Sequence, residues 1–197
     1  MKFLNIITAY TVLLVTNFII LADAYAVTEL EIGDAFSEPV IDSKNNRAYV
    51  TQNLLKGKLL IMDLKNNLIK DQISVNSHPF KPVLSQKHNK LYIISRSKNI
   101  IEVFDLSKLK LFKKINLIYQ PDGGSVVSNN LSRMYIPHDK QGKISVIDLK
   151  SNIVISTIDI GTNINGKLVL SNDESKLLIS SHSAGVIYII NLTQNNN

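Results

Sequence analysis

The chain has 197 residues, 45% of them apolar, a formal net charge of +6 and no cysteine. Length and composition describe one globular domain and exclude a disordered or membrane-embedded chain. The missing cysteine excludes a disulfide framework, a thiolate metal site, a thiol nucleophile and a lipid-modified cysteine anchor, while the surplus of Lys and Arg draws the chain toward anions, leaves nucleic acid, anionic surfaces and no acidic partner all open, and says nothing about fold.

The first element is an address. Met1-Lys2 is a short positive start, Phe3 to Leu21 is mostly apolar, and Ala22-Asp23-Ala24-Tyr25-Ala26 ends in small residues spaced as Ala-x-Ala. This is signal-peptide architecture, so residues 1–26 are expected to be removed and the domain to comprise residues 27–197 in a periplasmic, secreted or cell-surface location. The alternative is an uncleaved anchor, diluted by Asn5, Thr8, Thr11, Thr16 and Asn17. Nothing later is apolar for long enough to span a bilayer.

A repeat of about 43 residues follows. Tyr49, Tyr92 and Tyr135 stand 43 apart, each two residues behind Arg47, Lys90 or Arg133, and Lys176 with Leu178 fills the same place once more. Asp63, Asp105, Asp148 and Asn191 follow at steps of 42, 43 and 43, each with Leu after it (Leu64, Leu106, Leu149, Leu192). A fixed period of this size marks stacked supersecondary units. Each unit predicts four strands: an apolar first (Val40-Ile41, Val83-Leu84, Val126-Val127, Leu168 to Leu170), a second carrying the Tyr position, an alternating third (Ile144 to Asp148) and a β-branched fourth (Ile153 to Ile158). Asn, Ser, Lys and Gly between them supply turn chemistry. Strands apolar on both faces are buried on both faces, as an inner blade strand requires. The predicted fold is all-β, a β-propeller of four four-stranded blades at about 38–76, 80–118, 124–160 and 166–192. Val27 to Gly33 matches the end of a fourth strand, and the last unit stops after its third. The expected closure therefore pairs residues 27–33 with 185–192, which would remove two exposed edges.

The second strand of the first unit reads Tyr49-Val50-Thr51-Gln52. With the recurring third strand and its Asp-containing turn, this resembles the YVTN-type β-propeller repeat over essentially all of the domain. Later copies (Tyr92-Ile93-Ile94-Ser95, Tyr135-Ile136-Pro137-His138, Leu178-Ile179-Ser180-Ser181) keep the lead residue and lose Thr-Asn. The resemblance implies an exported or surface-associated binding platform, usually with more blades than four. A compact four-bladed ring, two chains closing an eight-bladed ring, and a truncated longer propeller all stay open.

In a propeller the loops between strands 2 and 3 and between blades share one end. His138 and His182 follow second strands there, His78 and Asp122 sit in blade-connecting loops, and Arg96 and Gln52 occupy strand exits. His78, Arg96, Asp122, His138 and His182 are the candidate ligand-binding set, in which converging His and Asp could hold an anion or a metal. No loop has metal-ligand spacing, so neither a metal nor a cofactor is expected. The recurrent Asp63, Asp105 and Asp148 are read as caps of turn amides, and the tyrosines as blade core.

Lys44, Lys65, Lys87, Lys108, Lys56 and Lys143 fall on both ends of the repeat frame, which suits a solvated surface better than a nucleic-acid groove. There is no nucleophile motif, phosphate loop or unexplained carboxylate pair. The sequence thus points to an exported binding or scaffold protein for an unknown protein or surface ligand, with no enzymatic role, either monomeric or a homodimer. A lactonase-like hydrolase and single-stranded nucleic-acid binding are the alternatives.

Overall fold

The structure, a computed structural model, describes residues 29–161 and 163–192. The expected signal segment, Val27 and Thr28 lie outside the described residues. Among the described residues fifteen strands form four separate antiparallel sheets. Blade 1 is β1 (Val40–Asp42), β2 (Arg47–Gln52), β3 (Gly57–Asp63) and β4 (Leu68–Val75). Blade 2 is β5 (Val83–Ser85), β6 (Lys90–Ser95), β7 (Ile100–Asp105) and β8 (Lys110–Asn116). Blade 3 is β9 (Val126–Ser128), β10 (Arg133–His138), β11 (Lys143–Asp148) and β12 (Ile153–Asp159). Blade 4 has, among the described residues, β13 (Val169–Leu170), β14 (Lys176–Ser181) and β15 (Val186–Asn191). Each sheet is a simple meander in chain order, so the all-β propeller fold expected from the period is what forms.

Local chemistry repeats with the period. Asn46, Asn89 and Ser132 take positive φ at the turn between first and second strands, and Asn67, Leu109 and Asn152 do so between third and fourth. Asn tolerates that conformation well; Leu109 holds it in a turn closed by its amide, which donates to the Asp105 carbonyl at 2.7 Å. The recurrent aspartates cap as expected: Asp63 Oδ1 accepts from the amides of Lys65 (2.8 Å) and Asn66, Asp105 Oδ1 from Ser107 and Lys108, and Asp148 Oδ2 from Ser151. A register shift recurs in the third strand, at Ile61/Met62, Val103/Phe104 and Val146/Ile147. These bulges sharpen the twist that carries each blade around its neighbour.

Three apolar clusters glue the blades, between 1 and 2, 2 and 3, and 3 and 4. One face of each blade, here called forward, meets the next blade; the other is its back. Forward faces carry the tyrosines, all buried, with Leu59 and Ile61, Ile101 and Val103, or Ile144 and Val146. Full burial of side chains this size contributes roughly 1.5–3 kcal/mol each. Polar seams add direction: Tyr92 Oη donates to Asn152 Oδ1 across blades 2 and 3 at 2.9 Å, and Thr51 Oγ1 to the Phe80 carbonyl at 2.7 Å.

The expected closure within one chain is absent among the described residues. Residues 29–33 form no strand, the last sheet has three strands, and no apolar cluster joins blade 4 to blade 1. The forward face of blade 4 is left open, with Val169, Ile187 and Ile189 exposed, and blades 4 and 1 meet through the Lys167–Glu38 ion pair at their inner ends. Residues 29–36 instead run onto blade 1 along the course of a blade-to-blade connection. Phe36 bridges Gln52 as Pro79 bridges Ser95, and Asn53 N donates to the Ala35 carbonyl as Arg96 N does to that of His78.

Candidate functional site

Of the five residues expected at the loop-bearing end, His78, Arg96 and Asp122 are linked to one another, while His138 and His182 make their hydrogen bonds elsewhere. Arg96 Nη2 and Asp122 Oδ1 form an ion pair at 3.7 Å, and the Arg96 amide donates to the His78 carbonyl. His78 takes φ of +52° and its Nδ1 lies 3.1 Å from Asn53 Oδ1. His182, in blade 4, is exposed and its amide donates to Asn165 Oδ1. Among the described residues no group of three His, Asp or Glu is disposed to hold a metal ion.

His138 points inward, contrary to the expected loop position. It is fully buried, its Nδ1 lies 3.0 Å from the Gln120 carbonyl and its Nε2 2.7 Å from Ser145 Oγ. A carbonyl can only accept, so Nδ1 carries the proton and Ser145 donates to Nε2. Burial pushes the imidazole below its ordinary pKa, keeping it neutral. The Ser145–His138 contact has the atoms of a nucleophile and base, but both residues are buried in blade 3 and leave no room for a reacting group. It is a core hydrogen bond.

Asp139, not selected from sequence, is the perturbed acid of this end. Its amide donates to Asp122 Oδ2 at 2.9 Å, and its own Oδ1 is buried with no hydrogen-bond partner among the described residues. Burial, reinforced by the Asp122 charge and opposed by Arg96, raises its pKa from 3.8 to about 6. A carboxyl raised in the folded state binds its proton more tightly there. Its ionisation therefore costs stability as pH climbs from about 4 past 6, and the cost is absent below that window. Asp139→Asn is expected to raise the melting temperature at pH 7.5 by about 2–4 °C, on the order of 1 kcal/mol, and to leave it unchanged at pH 4. Equal melts at both pH values would contradict this.

Where the blades' inner ends meet there is a cleft of ≈ 700 Å³. One repeat position builds its mouth: Glu38, Lys81, Gly124 and Lys167 stand 43 residues apart, each just before an inner strand. Lys81 Nζ reaches Glu38 Oε2 at 2.7 Å and Lys167 Nζ reaches Oε1 at 3.4 Å. The hydrogen bond and charge of Lys81, then Lys167, hold the Glu38 carboxyl below its usual range. Gly124 has φ of +91°, and a Cβ there would lie 2.8 Å from Lys167 Cα, so glycine is what lets blades 3 and 4 approach. Phe36, Phe80, Pro82, Val83 and Ile94 make the rest of the lining largely apolar. Two ammonium groups facing one carboxylate leave a net positive mouth above an apolar floor, the arrangement that suits an anionic group on an apolar body.

No helix among the described residues is long and apolar enough to cross a membrane. No family model matches the chain, and no curated protein matches it by sequence. Solved structures match it in fold. Hydrazine synthase from Kuenenia stuttgartiensis superposes with a TM-score of 0.70 at 14% identity, over 89% of this chain and 49% of that one. A functionally unknown protein from Desulfotomaculum acetoxidans gives 0.68 at 13% identity, over 84% of this chain and 58% of that one. The chain thus spans about half the length of these neighbours, and at such identities they establish the fold of the blades and nothing about chemistry.

Proposed function

We propose that this chain is an exported binding protein of YVTN-type blades, whose partner engages the central cleft on the loop-bearing end through an anionic group. The carrying observation is the ring position occupied by Glu38, Lys81, Gly124 and Lys167, which sets two lysines and one carboxylate around an apolar cleft. The Ala-x-Ala pattern ending at Ala26 supports export. Binding is favoured over turnover because the best-formed Ser–His contact is buried in blade 3. Lysines distributed over both ends favour a small anionic ligand over a nucleic-acid strand.

A suitable probe is 1-anilinonaphthalene-8-sulfonate, an anion on an apolar body, followed by fluorescence at low salt. Lys81→Ala with Lys167→Ala is expected to weaken binding about tenfold, because two charge-assisted contacts are lost. Raising the salt should weaken wild-type binding, since both ammonium groups are exposed to solvent. A double variant that binds as tightly as wild type would remove the cleft mouth as the site.

A further inference from the structure

The forward face of blade 4 has the chemistry of a blade interface and no blade on it. Repeat phase identifies its residues: Val169 matches Val83 and Val126, Ile187 matches Ile101 and Ile144, and Ile189 matches Val103 and Val146. Ile101, Val103 and Ile144 are 0% exposed, whereas Val169, Ile187 and Ile189 are 57%, 66% and 60% exposed. Apolar side chains at interface positions, in a sheet with no outer strand among the described residues, form a surface that monomers seldom leave open.

We propose that this face takes the back of blade 1 from a second copy of the chain, and that residues 29–33 of that copy add the fourth strand beside β15, so that two chains close a ring of eight blades.

Three observations select a second copy over other occupants. First, the back of blade 1 is built from positions that already serve this purpose three times. Ile41, Met62 and Leu64 stand where Leu84, Phe104 and Leu106 receive blade 1, and Ile41 and Leu64 are 58% and 38% exposed; on the same face, paired across the strands with them or with each other, Ala48, Val50 and Leu60 are covered within the chain, so the open part of this face is its Ile41–Leu64 rim. Second, Leu30 and Ile32 occupy the phase of Ile73 and Val75, of Ile115 and Leu117, and of Ile158 and Ile160. Each of those pairs belongs to a fourth strand, or continues just past it, and packs into a blade interface. Leu30 and Ile32 are half-buried on a segment that reaches blade 1 by the route of a blade-to-blade connection. The segment is therefore placed as the end of the blade preceding blade 1, and among the described residues blade 4 is the blade without this strand. Third, such a contact joins different surfaces on the two chains, and two such contacts related by a twofold axis close without leaving a free face.

Register makes the test specific. Lys58 pairs with Ser74, Ile100 with Asn116 and Lys143 with Asp159, and the same phase pairs Val186 of one chain with Glu31 of the other. Facing residues in antiparallel strands lie about 4.5–5.5 Å apart at Cα, within disulfide reach, and the chain has no cysteine of its own. Glu31→Cys with Val186→Cys, oxidised and run without reductant, is expected to give a covalent two-chain species. Adding Ile187→Lys and Ile189→Lys should abolish that species while the chain keeps a cooperative melt, since both side chains point away from the core of their own chain. A disulfide within one chain would show closure in cis and overturn the proposal. So would the absence of any crosslink, or a ladder of higher polymers, which would mean that the contact does not close.

Discussion

Ile101→Ala is expected to lower the unfolding free energy by about 2–4 kcal/mol, the usual cost of removing a fully buried aliphatic side chain that its neighbours cannot collapse onto. Ile101 is 0% exposed and sits in the cluster between blades 2 and 3, against Met134, Ile136 and Ile147. Two sheets on rigid meanders cannot move together independently of the blades on either side, so the cavity persists. Ile155→Ala, on the exposed outer strand β12 of blade 3, should cost no more than about 0.5 kcal/mol. Denaturant melts of the two variants measure the difference. Similar losses at both positions would mean that stability does not reside in the seams between blades.

Gly124→Ala should cost about 2–3 kcal/mol, more than an αL alanine alone. The backbone at φ of +91° is strained for any side chain, and the added Cβ meets the Lys167 main chain at 2.8 Å, where Leu168 N donates to the Gly124 carbonyl at 3.0 Å. Relief requires blade 4 to shift outward, which also draws Lys167 from Glu38 and should weaken anion binding at the cleft. Gly161→Ala isolates the conformational part. Its φ is +80° and nothing lies within 4 Å of the new Cβ, so about 1 kcal/mol is expected. Equal losses at the two glycines would show that the close approach of blades 3 and 4 carries no strain.

The blades were legible because one period fixes every layer at once. A tyrosine or leucine each 43 residues sets the second strand, an aspartate sets the turn after the third, and the structure places both there. The loop-bearing end was less legible, and for a specific reason. His138 and His182 both follow second strands, yet they stand 44 residues apart, one more than the period. Along a strand one residue reverses the face. His138 shares its phase with Ser95 and Ser181, both buried, while His182 shares its phase with Arg96 and Asp139. The phase itself turns His138 inward and puts Asp139 at the position of Arg96 and His182. The same rule would have found Glu38, Lys81, Gly124 and Lys167, which no short motif marks because they lie on four different loops.

Closure could not be read from the period. Repeat phase gives residues 29–33 the positions of a fourth strand, but they form no strand among the described residues, and which blade they complete depends on how far each blade turns from the last. That angle comes from the packing of side chains such as Tyr92 against Asn152 and Met134, not from spacing along the chain.

The most direct measurement is the solution mass of the purified chain by light scattering after size exclusion, across a range of concentrations. Twice the chain mass, monodisperse and reduced to a single chain by Ile187→Lys with Ile189→Lys, is the result expected of an open four-bladed arc that closes with a second copy. A monodisperse single chain with a cooperative melt and no concentration dependence would contradict it.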